Sequence, residues 1–428
     1  MNRLAIEGLL KWKNTPNHKP LIIKGARQVG KTWLMKEFGQ KYYKNFVYIN
    51  FEDDEFINNI FEQDFDIDRI IETINIRNKV KIDTETLLIF DEIQSAPKGV
   101  TALKYFQEKA PEYDIISAGS LLGVGIHPNA SFPVGKVDFL ELYPMNFCEF
   151  LDALGENDLL NLIINKKYDL ISSVKDKFEI LLKKYYYVGG MPEAVKIFIE
   201  TQDFEYVRKI QNNILETYDK DFSKHAPIKE VPRIRLIWKS IIAQLSKENK
   251  KFIYGFLKKG ARAKDFELAL EWLKDAGLIY KVNRIKSAHL PLSAYEDFSA
   301  FKIFMLDIGL TIAMCKLPSE IIIDGDKLFQ DYKGALTEQY VLQQINFFND
   351  TDIFYWSNES NTSEIDFIIQ QRGKIIPIEV KASENLQSKS LYAFIKKNPE
   401  LHGIRFSMSL YREQDWLTNI PLYCVDNF

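Results

Sequence analysis

Cysteine is scarce in this 428-residue chain: Cys148, Cys315 and Cys424 stand alone and far apart. An odd, dispersed set of three excludes a disulfide framework and offers no thiolate spacing for a metal. Long apolar runs are also missing. No stretch approaches the roughly 18 consecutive apolar residues that a bilayer-spanning helix needs. The opening MNRLAIEGLLKWK lacks the apolar core and small-residue site of a secretory leader. A cytoplasmic protein without membrane insertion is therefore expected. Charge of one sign is not in excess. Lys+Arg 56 against Asp+Glu 59 gives a formal net charge of -3, which neither demands nor excludes nucleic acid. Internal repeats and low-complexity tracts are absent too.

What is present is ample core material. Apolar residues make up 46% of the chain, with 30 Phe and 21 Tyr, and a chain this long predicts two to four domains. Residues 20–32, PLIIKGARQVGKT, read as an apolar strand, a Gly-rich turn and a helix start. Further apolar runs at 45–51, 86–90 and 114–120 alternate with helical periodicity, a βαβ series with buried parallel strands.

The run Gly25-Ala26-Arg27-Gln28-Val29-Gly30-Lys31-Thr32 matches the P-loop pattern in full, between strand and helix. Its glycines permit a wrap whose backbone N–H groups face phosphate oxygens. Lys31 is expected to reach the β- and γ-phosphates of ATP, and Thr32 to hold Mg2+. Leu87-Leu88-Ile89-Phe90-Asp91-Glu92 reads as a Walker B strand. Asp91, at the strand's carboxyl end, is expected to help hold Mg2+, and Glu92 to orient or deprotonate the attacking water. An acidic pair at a helix start would also be favourable without any catalysis. Ser120 ends the fourth strand, where it can contact the γ-phosphate or simply cap the next turn.

In the C-terminal quarter, EIDFIIQQRGKIIPIEVK (364–381) reads as a hairpin with Arg372-Gly373 as a type I′ turn. Counting outward places Asp366 opposite Glu379, with Lys381 and Glu364 on the same face. Two carboxylates and a lysine suit a Mg2+-dependent nuclease, with Glu338 on the preceding helix as a further ligand beside Asp366 and Glu379. A binding module without catalysis and a plain ion-paired face are the alternatives.

GARQVGKT, LLIFDEIQ, ISAGSLLG, LELYPMNFCEF, YYYVGGMPEAV and YDKDFSKHAP, in that order, make the chain similar to the AAA-type ATPases that carry a C-terminal DUF4143 region. That resemblance implies a PD-(D/E)xK nuclease-like fold at the C-terminus, although Ile365 stands where the signature has proline. It departs also at Gly135-Lys136, where many members have Gly-Arg. An arginine finger therefore does not transfer to Lys136, and Arg208, Arg233 and Arg235 become alternative cations.

The expected fold class is α/β. A P-loop parallel-sheet core (1–152) precedes a helical lid (153–230), which closes on ATP around Tyr185–Glu193. A winged-helix-like module (231–285), a connector (286–330) and a restriction-endonuclease-like α/β module (331–428) follow. Arg233, Arg235, Lys239, Lys251, Lys258, Lys259, Arg262 and Lys264 make the winged-helix region basic. Glu267, Glu271 and Asp275 on its second helix argue against insertion into a DNA groove. The expected activity is a Mg2+-dependent ATP switch or remodelling protein acting on DNA or RNA through the C-terminal module. Its alternative is a regulatory ATPase whose C-terminal module is an inactive docking surface for nucleic acid, a protein partner or a further copy of the chain.

Overall fold

The computed structural model describes residues 2–427 except 54, 120–132, 248–249, 324–329, 348–350, 361 and 383–386. The chain forms two compact units, residues 2–143 with 275–277, and residues 144–274 with 278–428.

The first unit is built on five parallel strands. They are β1 (Leu21–Lys24), β2 (Asn45–Asn50), β3 (Thr86–Asp91), β4 (Ile115–Ala118) and β5 (Asp138–Glu141), in the spatial order β2-β3-β4-β1-β5. Every residue of β3 is buried, as the unbroken apolar run TLLIF requires of a central strand covered on both faces. Helices fill those faces. Helix Ile67–Asn78 starts on Asp66, whose carboxylate accepts from the Arg69 N–H at 3.2 Å, and it buries Ile67, Ile70, Ile71 and Ile74 at helical spacing. Phe51, Phe61, Phe90 and Phe106 meet edge-on or tilted in this core, with centroids 5.5–6.2 Å apart. At the end of the sheet away from the Gly-rich turn, Asp114 accepts from Tyr43 at 2.6 Å and pairs with His18 at 2.8 Å.

The second unit has an eight-stranded mixed sheet. Its strands are β6 (Ile279–Ile285), β7 (Glu296–Met305), β8 (Thr351–Ser357), β9 (Glu364–Gln371), β10 (Lys374–Val380), β11 (Gly403–Ser407), β12 (Arg412–Gln414) and β13 (Leu417–Pro421). Their order is β12-β13-β11-β10-β9-β8-β6-β7. The β9–β10 hairpin turns at Arg372 (φ 49°) and Gly373 (φ 74°), and Lys374 pairs with Gln371 as counted from the sequence.

Two readings of this region change. Residues 286–330, expected to be a connector, contain the ten-residue strand β7, whose last six residues are all buried. The hairpin β6–β7 follows helices Val231–Leu245 and Ala263–Asp275, the order of a winged helix. Yet β6 also pairs in parallel with β8, so the hairpin is the edge of the C-terminal sheet and not a free wing. A buried apolar run such as AFKIFM is satisfied only by covering both its faces.

The run YYYVGGMPEAV, expected to face ATP as a lid, is interior to the second unit. Tyr185, Val188 and Met191 are wholly buried. The Tyr185 hydroxyl donates to Met145 O at 2.5 Å. Gly190 N–H donates to Asp307 Oδ2 at 2.6 Å, and Gln343 Nε2 reaches both Asp307 Oδ2 (3.1 Å) and the Tyr185 oxygen (3.0 Å). Gln339 and Gln344, on the same helix as Gln343, bond the backbone at Met305 and Phe147. The two glycines are there because the chain passes so close. A Cβ on Gly190 would stand 2.0 Å from Met145 O, and one on Gly189 would stand 2.3 Å from Asp307 Oδ1. Buried polar groups survive only when paired in this way.

Candidate nucleotide site and a second polar cluster

The Gly-rich turn leaves β1 with Gly25 at φ 144°, Gln28 at φ 66° and Gly30 at φ 96°. Only glycine fits at position 25, where a Cβ would lie 2.3 Å from Leu142 O. Arg3 braces the turn from below. Its Nη1 donates to Val29 O at 2.9 Å and its Nη2 to Tyr143 O at 2.6 Å. Helix Lys31–Tyr42 starts directly after Gly30.

Lys31 is 7% exposed, and its ammonium curls back onto Gly25 O and Ala26 O, both at 2.8 Å. Burial pushes its pKa down to about 8, although Glu92 and Asp91 pull the other way. Thr32 Oγ1 donates to Asp91 Oδ2 at 2.5 Å, and the Tyr48 hydroxyl donates to the same oxygen at 3.0 Å. Asp91 Oδ1 accepts from the Glu92 N–H at 3.1 Å. Glu92 adopts the left-handed conformation (φ 51°) and accepts from Gln94 Nε2 at 2.5 Å. Burial and the Asp91 carboxylate raise the Tyr48 hydroxyl pKa.

The structure thus brings Lys31, Thr32, Asp91 and Glu92 to the carboxyl ends of β1 and β3, separated by the single strand β4. Ser120, expected beside them just past β4, lies outside the described residues. Tyr48 was not foreseen, because a tyrosine inside the run NFVYINF carries no signal but strand propensity. The oxygens of Thr32 and Asp91 are a hard donor pair of the kind Mg2+ uses together with phosphates, so these residues fit that ion. Lys136 pairs with Glu108 at 3.0 Å. Arg208, Arg233 and Arg235 are each engaged within their own unit, by Leu317 O (3.0 Å), Glu230 (2.5 Å) and Asp219 (2.8 Å).

In the second unit the expected C-terminal site divides in two. The β9–β10 register runs from Lys374–Gln371 to Ile378–Phe367, and one step further Glu379 comes opposite Asp366. Lys381 reaches Glu379 Oε1 at 2.9 Å. Glu379 is buried, and its other oxygen has no hydrogen-bond partner among the described residues. Asp366 instead accepts from the Val380 N–H at 2.8 Å and sits with Glu338 and Glu364. Between these acids lie two lysines that the sequence reading did not place there. The Lys302 ammonium is hydrogen-bonded to Glu364 Oε1 and 3.6 Å from Glu338 Oε2, and Lys250 is bonded to Glu338 Oε1. Burial raises the Asp366 pKa, and the facing Glu338 adds to that rise. Burial acts on Glu338 as well, but Lys250 and Lys302 leave its pKa lowered. No group of three or more His, Cys, Asp or Glu that could hold a metal is found among the described residues. Of the expected metal set, Glu338 faces Lys250 and Lys302, whereas Glu379 pairs with Lys381. Among the described residues no helix is long and apolar enough to cross a membrane.

Three family models match the chain: one described as an AAA domain over residues 17–151, a domain of unknown function (DUF8612) over 179–321, and a domain of unknown function (DUF4143) over 333–425. The chain thus carries an N-terminal AAA-type P-loop ATPase domain and a distinct C-terminal DUF4143 domain, and the activity of the first is ATP binding and hydrolysis. Over 420 residues it is 25% identical to an uncharacterized protein of Methanocaldococcus jannaschii, covering 94% of this chain and 84% of that one. Among solved structures it is similar to a Walker-type ATPase of Pyrococcus abyssi (13% identity, TM-score 0.45, 72% of this chain and 94% of that one). It is also similar to the AMPPCP-bound DnaA of Aquifex aeolicus (14% identity, TM-score 0.28, 64% and 88%). Both TM-scores are below 0.5, so the ATPase assignment rests on the family model and the P-loop geometry.

Proposed function

We propose that the chain is a cytoplasmic, Mg2+-dependent ATP switch or remodelling protein. Its first unit binds and hydrolyses ATP, and its second unit is the effector. The observation that carries this reading is the meeting of Thr32 and Asp91 at 2.5 Å, the P-loop hydroxyl on the carboxylate that ends β3. Thr32 and Asp91 would hold Mg2+, and the ion would supply positive charge to the phosphates during transfer. The backbone of Gly25–Thr32 wraps the phosphates. Lys31 leaves its two carbonyl partners for the phosphates, adding charge where it develops during transfer. Glu92 orients the attacking water and takes its proton.

For the second unit, the lysine-filled carboxylate cluster favours a nuclease-like fold used for docking, to DNA or RNA or to a protein, over an active nuclease. Helices Val231–Leu245 and Ala263–Asp275 are the pair expected in the winged-helix-like module. Glu271 of the second helix is engaged by Lys274 (3.0 Å) and Lys281 (3.4 Å), which suits packing better than a DNA groove.

The Mg2+ dependence of hydrolysis tests the central part. Thr32→Ala should raise the Mg2+ concentration at half-maximal turnover by about tenfold or more, as loss of a contact to the ion does elsewhere. An unchanged Mg2+ dependence would remove Thr32 and the Thr32–Asp91 pair from the site.

A further inference from the structure

The buried lysine of the C-terminal sheet has a consequence for that module's chemistry. Lys302 lies on β7 with none of its surface exposed. Its ammonium is hydrogen-bonded to Glu364 of β9, lies 3.6 Å from Glu338 of helix Gln330–Ile345, and sits over the Tyr355 ring at 4.9 Å. A second lysine, Lys250, is bonded to the other Glu338 oxygen. An ammonium wholly removed from water is retained only where anions and donor–acceptor contacts replace its hydration. Here three acids from two segments, Glu338 of the helix and Glu364 and Asp366 of β9, supply that replacement.

We propose that Lys302 is the resident cation of this cluster and stands in the place of a divalent metal ion, so that the module holds its carboxylates together without metal. This deepens the reading of the second unit as a docking module and rests on it. The argument is one of charge and space. A hard divalent ion needs several oxygens turned toward a common point. Oε1 of Glu338 and Oε1 of Glu364 each accept from an Nζ atom, Glu338 Oε2 faces the Lys302 ammonium at 3.6 Å without a hydrogen bond, and one oxygen of Asp366 is held by the Val380 N–H at 2.8 Å. Glu379, the remaining acid of the expected metal set, pairs with Lys381. The strand that brings Lys302 in, β7, comes from the segment N-terminal to the DUF4143 match, so the match alone does not include the cation. Removing the ammonium should turn the cluster into a site with unbalanced negative charge, which Mn2+ can fill.

Mn2+ binding to the nucleotide-free full chain, counted by electron paramagnetic resonance, tests this. Wild type and Asp366→Asn should bind the same number of ions, because the cluster holds none. Lys302→Met should bind one ion more than Lys302→Met with Asp366→Asn. A wild-type ion that disappears in Asp366→Asn would overturn the proposal, and so would a folded Lys302→Met that gains none. If Lys302→Met does not fold, the comparison of wild type with Asp366→Asn still decides. Incubation of the same wild-type and Asp366→Asn preparations with DNA and RNA separates the two readings. Mn2+-dependent cleavage lost in Asp366→Asn would sink the docking reading as well, whereas an extra ion without cleavage would sink only the resident-cation assignment.

Discussion

Replacing Lys31 with Ala should reduce ATP turnover by roughly a hundredfold to a thousandfold, the usual cost of removing one group that meets developing charge. The buried ammonium is held by two carbonyls of its own turn, Gly25 O and Ala26 O, both at 2.8 Å. Binding of ATP has to turn it outward onto phosphate. The same lysine gives a pH signature. In the free protein its pKa is lowered to about 8 by burial, and phosphates at the ammonium should raise it. ATP then binds best to the protonated form. Affinity should be flat below pH 8 and weaken by about tenfold per pH unit above it, until the raised pKa of the complex is reached. A nucleotide titration between pH 7 and 9.5 reads this directly. Lys31→Arg, which does not lose its charge in that range, should remove the slope. A wild-type affinity unchanged to pH 9.5 would show that Lys31 does not meet the phosphates.

Replacing Gly190 with Ala should destabilise the second unit by about 4 kcal/mol or more, the extreme of single-substitution effects. The added Cβ would lie 2.0 Å from Met145 O and 2.8 Å from Met145 N, both backbone atoms that cannot rotate away. Moving them would strain the Tyr185–Met145 and Gly190–Asp307 hydrogen bonds, and through Asp307 the contact to Gln343. Asp307 is itself a carboxylate whose pKa burial pushes up, so losing its N–H donors would leave a poorly solvated acid. Gly255→Ala is the control. Its nearest neighbour would be Ile253 Cγ2 at 4.0 Å, and it should be nearly neutral. Denaturant unfolding followed by circular dichroism compares the two. A Gly190→Ala midpoint equal to that of Gly255→Ala would mean that the packing around Met145 is looser than described.

The nucleotide site was legible because its chemistry is local. Gly25 through Thr32 are contiguous, and a strand as apolar as LLIF can only be central, so Asp91 had to arrive at the sheet's carboxyl edge. The β9–β10 hairpin was legible for a similar reason: Arg372-Gly373 fixes the register, and the register fixes which residues oppose each other. What the sequence did not disclose comes from far along the chain. Lys250 and Lys302 precede Asp366 by more than sixty residues, and only the pairing of β6 with β8 brings β7 into the same sheet. Nothing in KIFML marks its lysine as buried, since a lysine in a strand is ordinarily a solvated edge residue. The Tyr185–Met191 run misled in the opposite way. It was expected to border ATP as part of the lid, but its glycines are required by the close passage of Met145 and Asp307.

The measurement that bears most directly on the whole account is phosphate release from ATP by the purified chain with Mg2+, for wild type and Glu92→Gln side by side, together with nucleotide binding. The account predicts Mg2+-dependent release by the wild type. In Glu92→Gln it predicts that ATP binding is retained while release is nearly lost. Release by Glu92→Gln at the wild-type rate, or none from a folded wild type that binds ATP, would contradict it.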